Sequence, residues 1–335
     1  MINYLCTSPK PKLQGTDALY NEIGLLQNNF GGEVHSLFPF KKPLSRFPAF
    51  LYGLHNLRIV ETSAINSKLN HIFAPSLVYL PVLNNLPNPI VFSIVTSISK
   101  QSKLLPKAFI DKLDALVVYS ERDAKILYSN NFKNINVIKT GIDISPFTKH
   151  QLPVNGTFNL LMASAPWETK QLSSKGILLL LSTLQKTNNL HITFLWRNVL
   201  EKEIGTLIKK YDVADKVTLI NKKTNVAQLL KTVHATVLLS NDASVVKAYP
   251  HSLIESIISG KPVITSKQIA MADFVEQNSC GLVLTDFNAA ALLKCINNLQ
   301  ANYEQYCNAT LSLNENLFSN KRMLKDYEML YESLL

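Results

Sequence analysis

Apolar positions along the chain follow two alternating rhythms. From Phe158 onward a short, nearly unbroken apolar run is followed each time by a longer stretch with apolar residues every three or four places. The pairs are FNLLMA and KGILLLLSTLQ, HITFLW and EKEIGTLIKKY, KVTLI and NVAQLLKTV, ATVLLS and HSLIESIIS, PVITS and AMADFVEQ, GLVL and NAAALLKCINNL. The short runs, rich in β-branched residues, predict strands, and the longer stretches predict helices lying on them. Six strand–helix pairs in succession predict a doubly wound parallel sheet. In the first half INYLC, EVHSLF, NHIFA, PIVFSIV, ALVVYS and INVIK repeat the theme, with TDALYNEIGLLQ as its clearest helix. The expected fold class is α/β, with two Rossmann-like doubly wound domains facing a central cleft. Gly, Pro and Asp accumulate in KTGIDISPFTKHQLPVNG, which sets the expected domains at residues 1–150 and 151–317. The tail NKRMLKDYEMLYESLL reads as an amphipathic helix over about 318–335, able to pack on either domain, the first included.

One stretch, KAYPHSLIESIISGKPVITS from Lys247 to Ser266, is densely punctuated. Pro250 suits a first helical turn, where its missing N–H would have had no partner. Leu253, Ile254, Ile257 and Ile258 then share a face, Gly260 supplies the left-handed residue that stops a helix, and Lys261-Pro262 prevents continuation. Strand, loop, helix, strand in a parallel sheet puts the amino end of the helix at the carboxyl edge of the strands, where open α/β sheets bind ligands. The N–H groups near Ser252 and Leu253 would face that edge, backed by about half a positive charge. An anion is the natural guest.

Composition narrows the choice of guest. A chain of 335 residues accommodates two domains, each with its own core. Hydrophobic residues make up 47%, yet no apolar run approaches the roughly 20 residues of a membrane span. MINYLCTSPKPK lacks the order of a secretory signal, so a cytoplasmic protein is expected. Cys6, Cys280, Cys295 and Cys307 have no C-x-x-C spacing and read as buried free thiols rather than disulfides or zinc ligands. Net charge is +10, and residues 1–150 carry 16 Lys and Arg against 9 Asp and Glu. Such an excess favours an anionic partner: nucleic acid, an acidic membrane face or a phosphorylated substrate. No recognition helix, RNP-like strand or zinc module accompanies it, so nucleic acid is not expected. In Ser36–Arg58, Phe38, Phe40, Phe47, Phe50 and Tyr52 interleave with Lys41, Lys42 and Arg46. That mixture suits an anionic bilayer surface, at about 1 kcal/mol per cation, or aromatics packed on the sheet.

Four landmarks stand in order along the chain: a strand leading to Gly15-Thr16 and a helix, VIKTGIDISPF (Val137–Phe147), SSKGILLLL (Ser173–Leu181) and KAYPHSLIESIISGKPVIT. Together they resemble the GT-B glycosyltransferases of the family-4 type, retaining enzymes that use nucleotide-sugar donors. The resemblance implies a UDP- or GDP-linked donor on the second domain and a glycan or lipid-linked acceptor on the first. It also implies transfer of a hexose to an acceptor hydroxyl with retention, without metal or other cofactor. Carried over by position, Glu255 matches the glutamate that grips the donor ribose, and Lys175 the cation that steadies the departing diphosphate. Lys170 is a second cation on that loop, Gly15 and Thr16 match the glycine loop near the donor, and the amides of Ser252 and Leu253 suit a phosphate. The chemistry is sound in its own terms, since a carboxylate accepts two bonds from vicinal hydroxyls and fixed cations stabilise a leaving anion.

Departures matter equally. Lys247 stands where the family has the glutamate that meets the transferred sugar; a lysine there fits a donor with an acidic group or a second contact to the diphosphate. The family's Gly-Arg is missing near Ala163 and Ser164, and Arg197, ending HITFLWR, is the expected replacement. After PIVFSIV, where relatives place a histidine, the chain continues VTSIS, leaving the hydroxyls of Thr96 and Ser97 to line the site. No D-x-D, G-x-G-x-x-G or Walker lysine loop occurs, and His251 and Glu255, four apart, lack a third ligand for zinc. Two other readings stay open. One is a catalytically weakened GT-B homologue that binds a nucleotide-sugar or a membrane as a partner subunit. The other is a nucleotide-sugar epimerase, for which no acid and base residues are identified.

Overall fold

The computed structural model describes residues 1–11, 15–40, 48–98, 105–196 and 198–335. They form two units, Met1–Gly141 with Asn320–Leu335, and Ile142–Ser319.

The first unit is built on six parallel strands: β1 (Ile2–Cys6), β2 (Glu33–Ser36), β3 (Leu69–Ala74), β4 (Ile90–Ile94), β5 (Ala115–Val118) and β6 (Ile135–Val137). Their order in the sheet is β2-β1-β3-β4-β5-β6. Every residue of β1, β3, β4 and β5 is buried, which is why these strands read as unbroken apolar runs rather than alternating ones. The terminal helix Asn320–Glu332 belongs to this unit and docks through polar groups as well as apolar ones. Tyr327 and Tyr331, one turn apart, reach two buried groups. The Tyr327 hydroxyl donates to Glu22 (3.3 Å), and the Tyr331 hydroxyl bonds His71 (2.7 Å). Glu22, on the helix Ala18–Phe30, also accepts from Tyr119 (2.6 Å) and Thr140 (3.2 Å). His71 bonds the Ser93 hydroxyl with its other nitrogen (2.7 Å), and burial holds its pKa well below the usual imidazole value.

The second unit contains β7 (Phe158–Met162), β8 (Leu190–Leu195), β9 (Val217–Ile220), β10 (Ala235–Leu238), β11 (Val263–Ser266) and β12 (Gly281–Leu284). All pairings are parallel, in the order β12-β11-β10-β7-β8-β9. The strand order reverses between β7 and β10, which leaves a crevice outside their carboxyl ends. Leu160, Met162, Ile192, Phe194, Val237 and Ile264 belong to the main core. The helix Ile177–Leu184 packs into it with six of its eight residues buried, so the segment is more enclosed than the amphipathic helix expected from sequence. The helix Ala289–Ala301 lies against it and covers the side that would otherwise meet water.

Candidate active site

The loops that leave β7 and β10 meet at the switch point of the second unit. After β7 the chain passes through Ala163–Lys170 and the single turn Gln171–Ser174 to Lys175 and Gly176. Gly176 has φ +72°, and a Cβ there would come within 2.7 Å of the Cβ of Leu239, just past β10. Only glycine meets both demands. The approach is held by polar bonds: the Ser174 carbonyl accepts from the Asn241 amide (2.9 Å), with the Ser240 hydroxyl 3.1 Å away. The Ser240 amide donates to the Ser266 hydroxyl at the end of β11 (2.6 Å). Three neighbouring loops are thereby stitched together by serines, a feature that the sequence shows only as a serine after successive apolar runs.

Lys175 is 5% exposed, and its ammonium donates to the Ala165 carbonyl (3.2 Å) and the Ser164 hydroxyl (3.4 Å). Lys175, the cation expected at the diphosphate, is folded under its own loop, one residue before the left-handed turn at Gly176. Lys170 remains on the surface, 3.2 Å from the carboxylate of Glu168.

The helix after β10 runs His251–Ile258 with Pro250 as its N-cap. Its N-cap makes no side-chain bond and its first turn holds no acidic residue, so nothing within that turn offsets the partial positive charge of its amino end. The Leu253 amide donates to the Pro250 carbonyl (3.1 Å), a tight first turn that engages one of the two amides assigned to a phosphate. Among the described residues the Ser252 amide makes no such backbone bond. Glu255 lies in the second turn and Lys247 three residues before the cap, both half-buried. At the far end the amides of Gly260 and Lys261 bond the carbonyls of Ile257 (2.9 Å) and Ser256 (3.0 Å), and Gly260 has φ +75°. This double bond pattern is the glycine stop read from the sequence.

Topology thus brings Lys175, Lys247, Ser252, Leu253 and Glu255 to one edge of one sheet. Ammonium groups and a helix amino end suit a diphosphate, and a carboxylate one turn into the helix suits a neighbouring diol. Gly15 and Thr16 belong to the first unit, just before Asp17 caps the helix Ala18–Phe30 through the amides of Leu19 and Tyr20. Thr96 is also in that unit, and its hydroxyl donates to the Pro75 carbonyl. Arg197 lies outside the described residues, as do Lys41, Lys42, Arg46 and Phe47. Of the aromatics between Ser36 and Arg58, Phe38 packs edge-on to Phe40 and Tyr52, whereas Phe50 is 52% exposed, as is the nearby aliphatic Leu54 at 45%. The four cysteines are free thiols, Cys295 half-buried and the others buried.

Comparison with known proteins shows similarity in sequence over part of the chain and in fold over nearly all of it. Residues 170–310, which carry every one of the residues above in the second unit except the first part of the β7 loop, match the family described as glycosyl transferases group 1. Solved structures align over nearly the whole chain. HepE of Anabaena in complex with UDP and glucose matches at 13% identity and a TM-score of 0.72, covering 100% of both chains. Sucrose-phosphate synthase from Thermosynechococcus elongatus matches at 14% and 0.72, covering 99% of this chain and 98% of its own. WaaG, a glycosyltransferase involved in lipopolysaccharide biosynthesis, matches at 12% and 0.66, covering 96% and 98%. No curated protein matches the sequence. The fold is thus the two-unit α/β fold of GT-B glycosyltransferase structures, and the sequence of residues 170–310 is similar to glycosyl transferases group 1.

Proposed function

We propose that the protein transfers a hexose from a nucleotide-sugar to a hydroxyl of a glycan or lipid-linked acceptor, with retention at the anomeric carbon and without a metal ion. The observation that carries this reading is the uncapped, carboxylate-free amino end of His251–Ile258, set at the switch point beside the stitched Lys175 loop. The diphosphate sits at that amino end with Lys175 beside it, and Glu255 accepts from the ribose hydroxyls. The bond between the anomeric carbon and the diphosphate oxygen breaks, its electron pair leaving with the phosphate. The acceptor oxygen bonds the carbon on the same face, and its proton passes to the departing phosphate oxygen. Lys175 and the helix dipole stabilise the charge that grows on that oxygen. Lys247 adds a positive charge, which favours either a donor sugar with an acidic group or a second contact to the diphosphate.

UDP is the first nucleotide to test because HepE is known in complex with UDP and UDP-glucose, with GDP-sugars as the alternative. Exposed Phe50 and Leu54, with the positive charge of the first 150 residues, support peripheral attachment to the inner face of a membrane from the cytoplasm. Among the described residues no helix is long and apolar enough to cross one.

Thermal unfolding with UDP, GDP, ADP and their common sugars tests the site. A ligand at about 100 times its Kd adds roughly 2.7 kcal/mol of apparent stability, and the gain should vanish in Lys175→Ala. Stabilisation by none of these nucleotides overturns the proposal. A weakened homologue acting as a partner subunit is the second reading, favoured by the enclosed Lys175 and by the Thr96 hydroxyl being engaged. Tight UDP binding with no UDP released from UDP-glucose, with or without acceptor, selects it.

A further inference from the structure

We propose that Asp123 is a positioning residue: it fixes the segment Val95–Ile98 as part of the acceptor-facing wall of the first unit, a role that rests on the function proposed above. Asp123 is 1% exposed, and a carboxylate so far from water is costly unless its oxygens are engaged. They are engaged across the fold. One oxygen accepts from the Ile98 amide (2.7 Å), 25 residues away in sequence, and the other from the Ser120 hydroxyl (2.6 Å).

The helix Glu121–Ser129 does not itself require this arrangement. Ser120 already caps it, accepting from the Asp123 amide at 3.1 Å. In a capping box the acidic side chain at this position would turn back to the cap amide. Here it reaches out of its own helix to the loop after β4. A charge-assisted bond to a backbone amide is roughly twice as strong as a neutral one, enough to hold a short segment against thermal motion.

The segment is fixed on its other side as well. The Val95 amide bonds the Ala74 carbonyl (3.0 Å), and the Thr96 amide (3.3 Å) and hydroxyl bond the Pro75 carbonyl. Ends of β3, β4 and β5 are thereby joined along the carboxyl edge of the sheet, the edge at which open α/β sheets present ligands. Nothing in the apolar core calls for a carboxylate at this place; a rigid loop at the ligand edge does.

The test uses the full chain with UDP-glucose as donor and octyl glucoside, galactoside and mannoside as acceptor probes, beside hydrogen exchange at the Ile98 amide. Asp123→Ala should raise the acceptor KM about tenfold while the UDP-glucose KM and UDP release into water stay within twofold. Asp123→Asn keeps an oxygen for the Ile98 amide and should return the acceptor KM to within threefold of the parent. Asp123→Ser, too short to reach Ile98 yet able to bond Ser120, should show the same split if the alanine variant does not fold. Ile98 exchange should quicken in the Ala and Ser variants and not in Asn. An unchanged acceptor KM, equal losses for both substrates, or unaltered Ile98 exchange overturns the proposal. Absence of any transfer by the parent protein counts against the proposed function instead, and Ile98 exchange then decides whether the brace exists.

Discussion

The two units share six parallel strands and differ in where the strand order turns and in which charges they bury. In the second unit the order reverses between β7 and β10, in the middle of the sheet, so two loops flank a central crevice. In the first unit β1 has only β2 on one side, and the reversal lies near an edge. Among the described residues, the first unit buries the carboxylates Glu22 and Asp123, whereas the second buries the ammonium groups of Lys175 and Lys261. The lesson concerns charge. The excess of basic residues lies in the first 150 positions, yet the enclosed cations are in the other unit. Net charge describes a surface and does not say which charges a fold encloses.

The largest effect that would break this contrast is on turnover. Lys175→Ala should lower kcat for UDP release about 100- to 1,000-fold, the usual consequence of losing one preorganised donor to a developing anion. Glu22→Gln, in the first unit, should leave it nearly unchanged. Equal losses would erase the distinction between the two kinds of buried charge.

Stability against pH sharpens it next. Lys261 is wholly buried, its ammonium has no hydrogen-bond partner among the described residues, and burial pushes its pKa down to about 8, with the Cys307 thiol opposing the shift. Between that value and the unfolded value near 10.5 the unfolded chain holds the proton that the folded chain has lost, so stability of the second unit should rise with pH. The total gain is roughly 3 kcal/mol, and Lys261→Met should abolish it. His71, also depressed by burial, places the corresponding window on the acid side: the first unit should lose stability as pH falls below about 6.5. Hydrogen exchange resolved by unit, across pH 5 to 10, separates the two slopes; slopes of the wrong sign in either unit would refute the assignment.

A smaller effect concerns the ribose. Glu255→Ala should weaken UDP binding by about 1.5–3 kcal/mol in calorimetry, and the loss should shrink with 2′-deoxy-UDP, which offers one hydroxyl fewer. An equal loss for both nucleotides would move Glu255 away from the sugar.

Strands buried along their whole length, such as β1, were legible because they leave unbroken apolar runs like INYLC, whereas the part-exposed β2, β6 and β9 were legible from their place in the strand–helix alternation. The stop at Gly260 was legible because a Schellman turn needs a residue at positive φ. Lys175 was legible in position and not in posture: no local pattern shows that its ammonium folds onto the Ala165 carbonyl. The polar docking of Asn320–Glu332 was invisible for a related reason. Tyr327 meets Glu22 and Tyr331 meets His71 across 305 and 260 residues, a distance at which periodicity carries no information.

That tail has a consequence for synthesis. A ribosome delivers Ile142–Ser319 complete before it delivers the residues that Glu22 and His71 await, so the middle of the polypeptide is able to mature before its beginning. Nascent chains stalled ahead of Asn320 should therefore carry a finished second unit beside an unsealed first one, with protease reaching the amino-terminal portion until the last helix emerges.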